Sequence, residues 1–295
     1  MKKSPPPKKS ISGPEVRIRP LTSLEEFRDC VFIQRRVWDH PDLDLIPDHF
    51  FQIAAHTGAI LLGAFVDGRL SGYVYSFPAD FGRTRGHHSH HLAVLPEVRG
   101  LGLGKALKWA QRDEALKRGL ELVTWTFDPL QARNANLNIH VLGVVGRTYL
   151  RNFYGETPTL GVEEGVPSDR FLVEWRIKSA RVRARRQGPP APVDPRRIPK
   201  ALEREEGGLE PAIVPGRPNL RLQAPRILVE IPGRIADLPQ GEGLVAAWQT
   251  AARKAFEAYF ARGYRLDDFI SGERSYYVLR LTAGTERAPF FGRPS

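Results

Sequence analysis

A strand that halts at a proline and turns through alternating glycines into a helix is the feature that most constrains this chain. From His91 to Lys105 the residues run His-Leu-Ala-Val-Leu-Pro-Glu-Val-Arg-Gly-Leu-Gly-Leu-Gly-Lys. Proline cannot donate to a strand ladder, so the strand ends at Pro96. Gly100, Gly102 and Gly104 then allow backbone angles and close approaches that a side chain forbids. Amides crowded ahead of a helix N-terminus make a seat for an anion, a pyrophosphate above all. A plain tight βα turn would use the same glycines, and spacing separates the phosphate readings. A P-loop needs Ser or Thr after its lysine, and Ala106 follows Lys105. A dinucleotide turn needs G-x-G-x-x-G in the first strand–helix unit; here the glycines alternate and follow several strands.

The surrounding pattern predicts an α/β chain with a mixed sheet. A short strand over residues 15–19 precedes a capping box, Ser23 with Glu26, which opens a helix continued by Leu24, Phe27, Val31 and Trp38. A second helix spans 48–56, and Asp67-Gly68 joins strands 60–66 and 70–77 in a hairpin. A strand over 90–95 leads into the glycine turn, then a helix over 104–118, a strand over 122–127, a helix over 131–142 and a strand over 171–177. Residues 179–225 hold nine prolines and dense charge, which predicts a long irregular connection. A βαββ unit follows, with a strand over 227–231, a helix over 243–262 and strands 264–270 and 275–281. The expected organisation is a basic tail (1–14), a main domain (15–178), a Pro/Arg-rich linker (179–225) and a C-terminal unit (226–295) packed on the core.

The net charge of +11 suggests nucleic acid until it is located. Residues 1–19 carry +5 and residues 176–200 carry +8, which leaves −2 for all the rest. The basicity lies in Pro-rich stretches without the interleaved aromatics of a nucleic-acid platform, so no nucleic-acid partner is expected. The single Cys30 excludes an internal disulfide framework, a cysteine zinc cage and a CxxC pair. The four histidines in residues 87–91 have no matching cysteine or carboxylate pattern, so no metal is expected. The longest apolar run, residues 59–66, is far short of the roughly 20 residues that span a bilayer. No apolar segment follows the charged N-terminus, and a cytoplasmic protein with no membrane partner is the expectation.

The Arg-x-x-Gly-x-Gly run after a Val-x-Pro strand, behind a β-α-α-β-β order, resembles the acyl-CoA signature of the GNAT (Gcn5-related N-acetyltransferase) superfamily. The likeness extends through His88-Ser-His90, Thr124-Trp-Thr-Phe-Asp128-Pro-Leu, Arg133-Asn134-Ala135, Asn138 and Leu142-Gly143 to a branch of bacterial acyltransferases with an added C-terminal region. The resemblance implies the GNAT fold and acetyl-CoA or another acyl-CoA as cosubstrate. It implies backbone contacts from Leu92, Ala93 and Val94 to the pantetheine arm, with the Val94 amide polarising the thioester carbonyl. Arg99, Gly100, Leu101, Gly102, Leu103, Gly104 and Lys105 would hold the pyrophosphate. Asn134 and Asn138 would touch the cofactor.

The implied reaction transfers acetyl, or a larger acyl such as succinyl, to a small amine, an amino acid being one such acceptor. It needs a base and an acid. His90 is the first candidate base, with His88 two residues away on one strand face and Asp128 closing the neighbouring strand. The family's tyrosine acid, four residues before a glycine, is replaced by Ile139 ahead of Gly143. Tyr149 and Tyr154 lie downstream and could substitute. Loss of that acid leaves a second function open, a non-catalytic CoA-binding sensor or interaction protein. In the C-terminal unit, Tyr259 and Gly263 carry the missing Tyr-x-x-x-Gly run, which suggests a half-repeat of the same domain. A homodimer is compatible with all of these readings.

Overall fold

Asp67 and Gly68 take φ values of 48° and 82° and turn β2 (Ile60–Val66) back along β3 (Arg69–Phe81). Two positive φ angles match the right-handed twist of the flanking strands. β1 (Val16–Pro20) pairs with β2, and β4 (Thr84–Val94) with β3, all antiparallel. The structure is a computed structural model that describes residues 13–39, 41–82, 84–155, 166–205, 213–239 and 243–282. Most of the basic tail, part of the linker and the last C-terminal residues lie outside the described residues.

The capping box forms: the Ser23 hydroxyl accepts the Glu26 amide at 3.2 Å and the Glu26 carboxylate accepts the Ser23 amide at 3.1 Å. It opens α1 (Leu24–Trp38). α1 and α2 (Asp48–His56) bury Phe27, Cys30, Ile33 and Phe51 with Tyr73 and Tyr75 in one cluster. α3 (Leu103–Lys117) buries Leu103, Leu107 and Trp109 in a second cluster with Val74, Val123 and Trp175. Each large side chain removed from water contributes about 2 kcal/mol, so the sheet is held from both faces. β5 (Leu122–Phe127) joins β4 in parallel, and β7 (Arg170–Arg176) and β6 (Val145–Leu150) complete the order β1-β2-β3-β4-β5-β7-β6.

Several elements differ from the sequence expectation. β4 starts at Thr84 rather than residue 90, because the β3–β4 hairpin runs on through Pro78 and Gly86, residues that read as a turn. The helix expected over 131–142 is one turn of α-helix, α4 (Ala132–Ala135), followed by a π-helix from Asn136 to Val141. β6 was not expected; most of its residues are only half-buried, which blurs its alternation. In the stretch expected to be irregular, Ser179 caps α5 (Ala180–Gln187), Val182 is buried, and β8 (Lys200–Leu202) adds a short strand. One buried apolar residue is enough to dock a helix that composition alone reads as solvated.

The C-terminal strands extend the sheet. β9 (Arg226–Ile231), α6 (Leu244–Ala261), β10 (Tyr264–Ile270) and β11 (Ser275–Leu281) continue it as β6-β10-β11-β9-β8. β8 is parallel to β9 as β4 is to β5. The order β8-β9-β11-β10 thus repeats β4-β5-β7-β6, and the two sets meet where Gly146 of β6 faces Leu266 of β10. At that junction a Cβ on Gly146 would stand 3.0 Å from the Leu172 carbonyl oxygen. Tyr259, buried at the end of α6, donates its hydroxyl to the Asn219 carbonyl at 2.7 Å and accepts the Leu222 amide at 3.1 Å. That tyrosine clasps the segment after β8 and is not placed to serve as an acid.

Candidate active site

β4 and β5 pair only from Gly86–Leu122 to His88–Thr124. Beyond that vertex β4 follows β3 to Val94, and β5 follows β7 to Phe127. Strands that leave a common vertex with different partners open a wedge between them. The β3–β4 ladder slips where Tyr75 faces His91 and Ser76 faces Ser89, so His90 is the extra residue of a β-bulge. The bulge brings His91 to the face that carries His88 and His90. His90 and His91 stack at 4.4 Å, and Phe77 lies 5.5 Å from His88 and 6.2 Å from His90, ring centre to ring centre. Spacing predicted two histidines on this face, and a bulge carries no sequence signal that would have shown the third.

On that face His88 Nδ1 lies 3.0 Å from Thr124 Oγ1, tying the two strands at the vertex. Further along β5, Thr126 Oγ1 lies 3.0 Å from the hydroxyl of Tyr154, which is 45% exposed. Burial pushes the His88 imidazole down to about 4, helped by the neighbouring His90 and Lys108 charges. His90 is lowered by desolvation as well, although its edge reaches solvent. An imidazole near 4 is neutral at pH 7 but a weak base, so His90 is the better placed of the two.

The opposite face of the vertex holds a residue for which no role was expected. Lys108 is buried on α3, its Nζ donating to Gln111 Oε1 at 2.7 Å and to Ser89 Oγ at 3.1 Å. It stands 3.7 Å from the Trp125 ring centre and 5.3 Å from that of Trp175. Among the described residues it has no carboxylate partner, and burial holds its pKa well below the usual lysine value. A lysine four residues after Gly104 on a stripe with Gln111, Arg112 and Ala115 was the available signal.

At the outer end of β4 the glycine turn takes the expected form. Gly100 and Gly102 have φ of 95° and 74°, and Gly102 is the N-cap of α3. A Cβ on either would meet nothing within 4 Å, and one on Gly104 only the Leu92 side chain at 3.9 Å. The first helical bond is Ala106 N–H to the Gly102 carbonyl, and no side chain caps the helix among the described residues. The amides of Leu103, Gly104 and Lys105 are therefore without intrahelical acceptors. Arg99, Leu101 and Lys105 are exposed beside this open cradle, and Leu103 is buried beneath it. The donors and the vacant Cβ positions fit a pyrophosphate.

The rest of the expected site is corrected in part. Leu95 N–H donates to Ser71 O at 2.9 Å, and an antiparallel ladder alternates, so Ala93 is turned toward β3. Leu92 and Val94, not Ala93, present their backbone groups to the wedge. The Asp128 carboxylate is buried and accepts the Leu130 amide at 2.8 Å, closing the turn after β5; it is a structural group, with its pKa raised by desolvation. The Tyr149 hydroxyl donates to Asp169 Oδ2 at 2.6 Å, and Arg253 Nε donates to the same oxygen at 2.7 Å. Burial and the Asp169 charge raise the phenol strongly, so Tyr149 is no proton donor for the wedge. Asn134 is exposed, Asn138 is buried in the π-helix, and Ile139 is fully buried. No cluster of three or more metal-ligating side chains occurs among the described residues. No helix among them is long and apolar enough to cross a membrane.

Residues 22–137 match the acetyltransferase (GNAT) family model. No curated protein matches the sequence. Among solved structures, the chain is similar to the ribosomal-protein-S18-alanine N-acetyltransferase of Escherichia coli, at 20% identity over 56% of this chain and 96% of that one, with a TM-score of 0.44. A GNAT-family acetyltransferase of Streptococcus pneumoniae has 21% identity over 54% and 98%, with a TM-score of 0.45. The PaiA N-acetyltransferase of Thermoplasma acidophilum, in complex with coenzyme A, has 15% identity over 55% and 99%, with a TM-score of 0.37. The family match runs from α1 through α4, around the wedge and the glycine turn, and makes residues 22–137 a GNAT acetyltransferase domain.

Proposed function

We propose that the chain is an acyl-CoA-dependent N-acyltransferase that moves acetyl, or a larger acyl such as succinyl, onto the amine of a small molecule, an amino acid being the simplest acceptor. The observation that carries this reading is the placement of the β4–β5 wedge and the glycine cradle at successive points along one strand. The thioester supplies an activated acyl group when bound. The amides of Leu103, Gly104 and Lys105 would hold the pyrophosphate, with Arg99 and Lys105 adding charge. Leu92 and Val94 would hydrogen-bond the arm, and the Val94 amide would polarise the acyl carbonyl. His90 takes the proton from the incoming ammonium, so that the free amine attacks. Tyr154 returns a proton to the departing thiolate. His88 keeps the vertex closed through Thr124.

Titration of the full chain with CoA, acetyl-CoA and succinyl-CoA should raise its melting temperature, since a ligand bound only to the native state stabilises it by mass action. Absence of any shift at millimolar ligand overturns the reading. Thiol release with a panel of amino acids and amines separates the enzyme from the CoA-binding sensor: turnover with any acceptor rejects the sensor.

A further inference from the structure

A second cleft lies far along the sheet from the wedge. Its volume is about 670 Å³, and α5, the segment 190–198 and strands β9 to β11 line it. None of its lining residues belongs to the wedge or the glycine turn. Three guanidiniums converge on one carboxylate there: Arg280, Arg181 and Arg226 lie 3.1, 3.4 and 3.9 Å from Asp267. Arg185 lies 3.6 Å from Asp268, which His140 engages at 2.9 Å, and Arg197 lies 3.7 Å from Asp194. Five arginines against three aspartates leave the lining two positive charges in excess.

The excess is not satisfied from within. Arg185 has a side chain only 10% exposed, and its Nε has no hydrogen-bond partner among the described residues. Its 3.6 Å approach to Asp268 is too long for a hydrogen bond. Arg280 Nε is also buried without one; its 3.1 Å contact with Asp267 is out of line. Buried cationic donors without acceptors are costly. Apolar side chains of Pro190, Pro192, Val193, Ile198 and Val278 form part of the wall and lower the local dielectric. We infer that this cleft binds a small dianion, a phosphoryl or dicarboxylate group, through Arg185 and Arg280.

Calorimetric titration of the full chain with inorganic phosphate and with malonate, at ionic strength fixed by sodium chloride, tests this. One saturable site per chain is expected for at least one of the two anions, and the one that binds gives the ligand class. Arg185→Gln should weaken it at least tenfold, and so should Arg280→Gln, which serves if the first variant does not fold. Repeating the titration on Gly102→Val removes any contribution from the glycine turn and should leave the affinity unchanged. Heat that sodium chloride reproduces, or equal affinity in both arginine variants, overturns the proposal. So does loss of binding in Gly102→Val alone. The CoA titration is independent, so the two readings can fail separately.

Discussion

The Lys108 ammonium nitrogen stands 3.7 Å from the centre of the Trp125 ring, directly behind the vertex where β4 and β5 part. It faces indoles and two neutral hydrogen-bond partners, Ser89 and Gln111. Gln111 Nε2 also donates to Ser89 at 3.1 Å, so these two remain satisfied without the lysine. Lys108→Met should therefore keep or raise the melting temperature at pH 7, as replacing an unpaired buried cation by an apolar side chain of similar length removes its desolvation cost. Because the folded pKa is depressed, the unfolded chain binds more protons, and wild-type stability rises with pH until the unfolded lysine deprotonates near pH 10. The gap between variant and wild type should shrink over that range. A loss above about 2 kcal/mol in the variant would mean that the ammonium stabilises the vertex.

Gly104 and Gly102 separate folding from cofactor binding. Gly104 lies in ordinary helical backbone with open space around it, so Gly104→Ala should stabilise α3 by up to about 1 kcal/mol. The same methyl intrudes on the cradle and should weaken CoA at least tenfold. Gly102→Val meets a positive φ and should cost about 1–2 kcal/mol, with a similar loss of CoA affinity. Thermal melts and CoA titration on both variants check this; unchanged affinity in a folded Gly104→Ala protein would remove the turn from the site.

Tyr154 and Tyr149 should respond in opposite ways to loss of a hydroxyl. Tyr154→Phe removes an exposed phenol on the wedge side and should lower kcat at least tenfold with little change in melting temperature. Tyr149→Phe leaves Asp169 held by Arg253 and the Asn152 amide. It should lower stability by about 1 kcal/mol and leave kcat nearly intact. A kcat loss confined to Tyr149→Phe would reverse the assignment.

Acid should destabilise the sheet through His87 as well as His88. Burial, with the Arg118 charge, pushes His87 down to about 4, and its Nδ1 lies 3.2 Å from Ser76 Oγ. Between pH 6.5 and 4 the unfolded chain takes protons that the folded chain refuses, so stability falls as pH falls, by on the order of 2 kcal/mol after screening. His87→Gln should flatten the melting-temperature profile across that window. A profile of unchanged slope would place the acid lability elsewhere.

Much of the N-terminal half was legible because its signals are local. The capping box at Ser23, the Asp67-Gly68 turn and the glycine turn each specify backbone angles within a few residues. What was missed depends on the tertiary ladder. The bulge at His90 arises from register against β3, and the orientation of Ala93 follows from which rungs are bonded. The roles of Asp128 and Tyr149 are set by Leu130 and Asp169, contacts that spacing cannot reveal. α5 was invisible because half of its residues are arginine and only Val182 is buried, and its docking rests on Val182 and on Arg181 donating to the Gly143 carbonyl.

The pairing of β6 with β10 has a consequence for truncation. β6 meets β10 at the single pair Gly146–Leu266, so what the C-terminal unit covers there is chiefly side-chain surface. Without that unit, Phe171 and Tyr149 would lose Phe256, now 4.7 and 6.2 Å away between ring centres, and become a bare aromatic patch. The C-terminal unit therefore covers an aromatic face of the N-terminal half. A chain cut before β9 would keep the whole glycine turn and wedge yet become prone to precipitation.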